Sequence, residues 1–380
     1  MGRWARMLEL SSNDRQILRL LGPLFLLLTA SNVVTMSFAK SLYISHNQFD
    51  SLPVMFIGAS SFTAVASLIY VHLMGRWKLV PRFIGLLVVA IISFGILGVL
   101  VPLAPQSLSL FVFTWCTGIG HLLLIQAWGY STTTLPVRDA RRLFPALAAL
   151  ATLGAVIGGF LTAAIIPFGQ LGSLLLLSVI LLFGALVSVF AASRQLSEAT
   201  SKPGREDPTL RNAKETKRHH GSNAGGLALA FRNLRETPLM RDLALLAIFL
   251  QVASVIMDLQ FSSALKTEFG TADMASFLGT YYALANMLTF FVALVAGRRI
   301  AQVVGIGLAS GSAAIILLLG AVATLFLVGF GASAIFWGIA VTSFGERVVS
   351  FGIGKHAFNA AMTPVDAREA ERVRFLIDGV

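Results

Sequence analysis

Ten apolar runs, each long enough to cross a lipid bilayer, constrain this chain more than any other feature of its sequence. Crossing roughly 30 Å of hydrocarbon as an α-helix takes about 20 mainly apolar residues. Runs of that kind lie at 20–40, 52–73, 83–103, 108–130, 143–168, 171–191, 243–263, 274–296, 304–330 and 332–352. Only 12% of the residues are charged, about half of what a soluble domain carries, as expected where most of the chain sits in lipid and charge is costly. The fold class that follows is an all-α polytopic membrane protein. The segment before the first run has arginines spread through it and no short apolar core ahead of a cleavage site, so that run reads as a retained span.

The net charge of +11 raises nucleic acid as a partner, but the placement of the basic residues removes it. Arg3, Arg6, Arg15 and Arg19 precede span one; Arg76, Lys78 and Arg82 join spans two and three; Arg138, Arg141 and Arg142 join four and five. Ten more lie between spans six and seven, Arg298 and Arg299 join eight and nine, and Lys355, Arg368, Arg372 and Arg374 follow span ten. All these segments fall on one side of the membrane and hold 26 of the 29 Lys and Arg residues; the exceptions are Lys40, Lys266 and Arg347. An excess of Lys and Arg marks the cytoplasmic side, so the N-terminus is expected in the cytoplasm, in a bacterial inner membrane. The charge reports topology, and the lipid bilayer is the partner it implies.

A repeat divides the spans. Pro136-Val137-Arg138-Asp139-Ala140-Arg141 follows span four, and Pro364-Val365-Asp366-Ala367-Arg368 follows span ten. Gly75-Arg76-Trp77-Lys78 after span two is answered by Gly297-Arg298-Arg299 after span eight. Both matches share an offset of six spans, the mark of parallel six-helix halves. The expected organisation is an N-terminal half (1–191), a polar cytoplasmic linker (192–236) and a C-terminal half (237–380) with four spans and a cytoplasmic helix over 363–380. On this plan the second half lacks two spans of an expected twelve in a two-half helical bundle, a layout that resembles the major facilitator fold.

Ionisable residues inside spans usually face a watery path and mark function. Here they are few: His121 in span four, Asp258 in span seven, Glu346 and Arg347 in span ten, with Asn32 and Lys40 in span one and Gln260 beside Asp258. Spans one, four, seven and ten are equivalent positions in a three-helix repeat. A resemblance to the major facilitator fold, in which these helices line the central cavity, implies that these residues face one cavity, where Asp258 and Glu346 can bind a coupling proton and Arg347 or Lys40 can hold an anionic group. Plainer roles compete: an interfacial anchor for Lys40, snorkelling to the surface for Arg347, and a hydrogen bond to a neighbouring helix for His121. The Gly154-x-x-x-Gly158-Gly159 spacing reads as close helix packing rather than a phosphate loop, and His219-His220 as incidental to the linker. The single cysteine, Cys116, can form no intrachain disulfide or thiolate metal site. No nucleophile-base set is present, so no enzymatic activity, metal or cofactor is expected.

Three stretches carry a family likeness. Asp139-Ala140-Arg141-Arg142-Leu143-Phe144-Pro145 with Leu153-Gly154-Ala155-Val156-Ile157-Gly158-Gly159 is the first; Met257-Asp258-Leu259-Gln260-Phe261 is the second; and Met362-Thr363-Pro364 with Ile377-Asp378-Gly379-Val380 is the third. In this order the chain resembles the ATP/ADP translocase-like branch of the major facilitator superfamily. The resemblance implies twelve spans, two of them beyond Val380, and transport by alternating access. Lys40 stands where that branch has a first-span lysine and Asp258 where it has an acidic residue. Ser262 replaces the lysine expected after Gln260-Phe261, and span four has no carboxylate. The function expected is therefore secondary transport of a small polar or anionic molecule, coupled to a proton or counter-substrate. Nucleotide exchange is the alternative within the family, and a non-transporting membrane anchor or sensor is the alternative from another class.

Overall fold

The computed structural model describes residues 12–74, 79–135, 137–168, 171–200, 238–295, 308 and 311–354. Among these, ten helices are long and apolar enough to cross a membrane. They are α1 (Ser12–His46), α2 (Leu52–Met74), α3 (Leu79–Leu100), α4 (Pro105–Thr134), α5 (Val137–Ile165), α6 (Ser173–Thr200), α7 (Pro238–Glu268), α8 (Thr271–Val295), α9 (Ser312–Leu327) and α10 (Ala332–Val349). Single 3₁₀ turns follow α3, α5 and α9, and a π turn over Ser350–Gly354 follows α10. The fold is an all-α two-half bundle of the major facilitator type. Most of the linker, His219-His220, the basic loops at 75–78 and 297–299, and the helix expected over 363–380 lie outside the described residues.

Every predicted span is present, with ends that differ for local reasons. The polar flanks of α1 join the helix, which runs well beyond 20–40 at both ends. At the far end Ser41 donates back to the Ser37 carbonyl at 2.7 Å, Ser45 likewise to Ser41, and His46 Nδ1 lies 3.0 Å from the Leu42 carbonyl. Such back-bonds let short polar side chains satisfy themselves inside a helix. α6 likewise continues to Thr200, into the segment read as linker.

α1 is the helix around which the first half packs. Leu21, Leu24, Phe25, Leu28, Val34, Phe38 and Ala39 are buried along it, against α4, α5 and α6. In the second half α10 packs on α7, α8 and α9. The outward faces are apolar: Ile180, Phe183, Val187 and Phe190 on α6, and Leu318, Leu325 and Phe326 on α9, are exposed. A contiguous apolar surface of this extent needs a non-aqueous solvent.

The α5 glycines make the closest approaches. A side chain on Gly154 would meet the Leu26 backbone and one on Gly158 the Ala30 backbone, so α1 and α5 touch main chain to main chain. Gly159 instead faces α8, where a Cβ on Gly279 would lie 2.7 Å from the Gly159 carbonyl oxygen. One short motif thus seals α5 to its own half and to the other. Gly159→Ala should destabilise the detergent-solubilised protein by about 1–3 kcal/mol, the usual cost of overpacking. Gly85→Ala, where nothing lies within 4 Å, should leave the melting temperature unchanged.

Candidate functional site

Two lysines tie α1 to α7 near the C-terminal ends of both helices. Lys40 Nζ donates to Asp258 Oδ1 at 2.6 Å, and Lys40 is only 1% exposed. Its ammonium also lies 5.4 Å from the centre of the Phe261 ring, one turn further along α7. Nearer the end, Lys266 Nζ donates to the Ile44 carbonyl at 2.9 Å and to the Asn47 carbonyl. These are unsatisfied carbonyls at a helix C-terminus, where a cation is favoured by the dipole as well as by the hydrogen bonds.

Asp258 is also the entrance to a larger cluster. Its side chain is 28% exposed although its partner lysine is not. Ser262 donates to the Asp258 backbone carbonyl at 2.6 Å, steadying this turn of α7. Across from it on α8, Tyr281 stacks on Phe261 with ring centres 4.8 Å apart and donates to Ser343 Oγ of α10 at 2.9 Å. Next to it, Tyr282 carries the Arg347 guanidinium over its ring, 5.0 Å from the centre. Arg347 Nε is buried with no hydrogen-bond partner. Glu346, adjacent in sequence, points elsewhere and accepts from Ser350 Oγ at 3.0 Å.

Depth along the helices agrees. At 1.5 Å per residue, Asp258 lies roughly 15 Å from the Glu268 end of α7, Tyr281 roughly 15 Å from the Thr271 end of α8, and Arg347 roughly 22 Å from the Ala332 end of α10. The cluster therefore sits in the middle of the bundle. The π turn that begins at Ser350 widens α10 directly after Glu346 and Arg347, a distortion often found at functional sites.

Of the residues expected to share a cavity, Lys40, Asp258, Glu346 and Arg347 belong to this neighbourhood. Asn32 lies within the first half: its amide oxygen occupies the space a side chain on Gly120 would need. With Ser31, Thr35, Cys116, Gly120 and Leu123 it lines a void of about 10 Å³, no larger than one water. His121 is exposed, with Nδ1 2.9 Å from the Thr117 carbonyl of its own helix. Gln260 is exposed two residues beyond Asp258, on another face of α7. Tyr281, Tyr282, Ser343 and Lys266 were not singled out from the sequence. The one available signal was Lys266 itself, a basic residue on the wrong side of an otherwise consistent charge pattern. Among the described residues no group of three or more His, Cys, Asp or Glu is placed to hold a metal.

The comparisons with known proteins agree with this class of fold. No protein-family model matches the chain, and no curated protein matches it by sequence. Among solved structures it is similar to a bacterial homologue of the human lysosomal transporter Spinster, in an inward-facing and unoccupied conformation, with a TM-score of 0.52 and 15% identity over 97% of this chain and 80% of that one. At that identity the likeness establishes the two-half helical fold alone and leaves function to the residues of this chain.

The Lys40–Asp258 pair is open to a direct check. Removing one partner of a buried ion pair costs about 3–5 kcal/mol, because the other charge is left buried alone. Lys40→Ala and Asp258→Ala should each lower the unfolding midpoint markedly, and the double variant should recover most of the loss.

Proposed function

We propose that this protein is a secondary transporter that works by alternating access and carries a small polar or anionic solute through the cavity between its halves. The observation that carries the reading is the Lys40–Asp258 ion pair, which joins the two halves and leaves the Asp258 side chain 28% exposed. The moving bodies would be 1–191 and 237–380, joined by 192–236, in a bacterial inner membrane with the N-terminus in the cytoplasm. The contacts named between the halves lie towards the C-terminal ends of α1, α5 and α7 and the N-terminal end of α8. The positive-inside rule makes that end periplasmic. The described state is then closed outside, and the solute enters or leaves on the cytoplasmic side.

The chemistry of opening follows from the pair. Parting α1 from α7 leaves a lysine with no other acidic partner among the described residues, so the outward-open state needs its charge met by water or by the solute, and that of Asp258 by water or by a proton. Asp258, the acid of the pair that joins the halves, is the residue best placed to couple solute movement to a proton. Glu346, buried and held by Ser350, is the second candidate. Nucleotide exchange, the finer reading, draws support from the motif likeness alone. Ser262 stands in place of a lysine that would neutralise phosphate, and Lys40 is already neutralised.

Two measurements test the proposal. In proteoliposomes the protein should give saturable uptake or counterflow of small polar or anionic solutes, and Asp258→Asn should reduce it at least about tenfold. In a Cys116→Ser background, Asn47→Cys with Lys266→Cys should be bridged by a short bis-maleimide, and bridging should stop flux. Undiminished flux through the bridged protein would contradict alternating access at this end.

A further inference from the structure

We infer that Arg347 is the anion-coordinating group of the cavity and that the solute it selects carries a single oxyanion, a carboxylate or a singly charged phosphate ester. This rests on the transport reading of the same cavity, and narrows it to a chemical class. Lys40 and Arg347 were both candidates on sequence. The geometry separates them: Lys40 is taken by Asp258 at 2.6 Å, whereas Arg347 has a buried Nε with no partner.

The surroundings of Arg347 suit ligand binding better than structure. A guanidinium that only stabilised the bundle would be expected to pair with the nearest acid, yet Glu346 is turned to Ser350. A guanidinium that snorkelled would follow α10 towards its end, yet this one is held 5.0 Å from the ring centre of Tyr282 in the middle of α8. A guanidinium beside an aromatic ring is held in place by the cation–π attraction, and its planar fork matches two coplanar oxygens of a carboxylate or phosphate. Tyr281 and Ser343, hydrogen-bonded to each other at 2.9 Å, put two hydroxyls in the same neighbourhood to meet polar groups on the solute.

Charge sets the valence. The residues deep in the described spans that bear formal charge are Lys40, Asp258, Glu346 and Arg347, and these sum to zero. One added negative charge is offset by a proton on either carboxylate, so the loaded cavity stays neutral. A nucleoside diphosphate would add several negative charges to a site where, among the deep charged residues described, Arg347 is the one cation outside an ion pair, and each uncompensated charge is costly in a low-dielectric interior. The site therefore discriminates against polyanions.

The experiment uses the full chain in nanodiscs, with lactate and dimethyl phosphate as monoanions, lactamide as a neutral analogue and ADP as a polyanion. Two readouts run on the unmodified protein: thermal stabilisation, and protection of Arg347 from phenylglyoxal followed by mass spectrometry. At least one monoanion should stabilise and protect, and lactamide and ADP should not; which monoanion does so identifies the oxyanion. Loss of a charged hydrogen bond is worth about 1.5–3 kcal/mol, so Arg347→Gln should weaken monoanion binding roughly tenfold to a hundredfold, with Arg347→Lys intermediate. Tyr282→Phe, which keeps the ring, controls for folding. Protection by ADP, protection by neither monoanion, or equal affinity in a folded Arg347→Gln protein would overturn the inference. Binding that depends on Arg347 without flux would instead sink the transport reading and leave the anion site standing.

Discussion

A single buried ion pair, Lys40 with Asp258, is the contact on which the account of this bundle turns. Lys40 is almost without water, and in such a place an ammonium persists only with an acid beside it. The acid comes from the other half of the chain. Docking of α1 on α7 is thereby made obligatory as long as both groups are charged, and conditional on any event that neutralises one of them. The second lysine, Lys266, works differently. It holds neutral carbonyls at the end of α1, which water can replace at little cost once the helices part. One contact is therefore tight and chemically switchable, and the other is a weak latch.

Magnitudes make the pair an adequate switch. Turning a two-state equilibrium from 1:99 to 99:1 takes about 5.5 kcal/mol, and leaving one member of a buried pair alone costs about 3–5 kcal/mol. Protonation or ligand binding at this one place is thus of the right order to change which side of the cavity is open. The rest of the interface must then permit motion without dissolving. The Gly159–Gly279 contact between α5 and α8 meets that need: backbone approaches backbone, flanked by the small side chains of Thr162 and Ala283, so no large side chain has to be extracted there when the helices rock.

The spans and their orientation were legible from the sequence because each is a sum over some twenty residues, which no single side chain can overturn. Helix ends were less so, since Ser41, Ser45 and His46 satisfy themselves on the α1 backbone and carry it past the apolar run. Asp258, Glu346 and Arg347 stood out because ionised groups in a span have few bland uses. That Lys40 is the partner of Asp258 was not legible: the two are 218 positions apart, and a lysine near a span end also fits an interfacial anchor. Tyr281, Tyr282 and Ser343 carried no signal, because uncharged polar residues are cheap enough in a span to pass as packing. Their role emerges only when α8 and α10 are side by side.

The central claim is that the Lys40–Asp258 pair holds the two halves together at one end of a cavity that can open there. Spin labels at Asn47 and Thr267, on the ends of α1 and α7, would report it by pulsed dipolar spectroscopy in lipid nanodiscs. The account predicts one short distance in the unaltered protein and a second, longer population in Asp258→Asn. A single short distance unchanged by that substitution would contradict it, and would return the pair to a purely structural role.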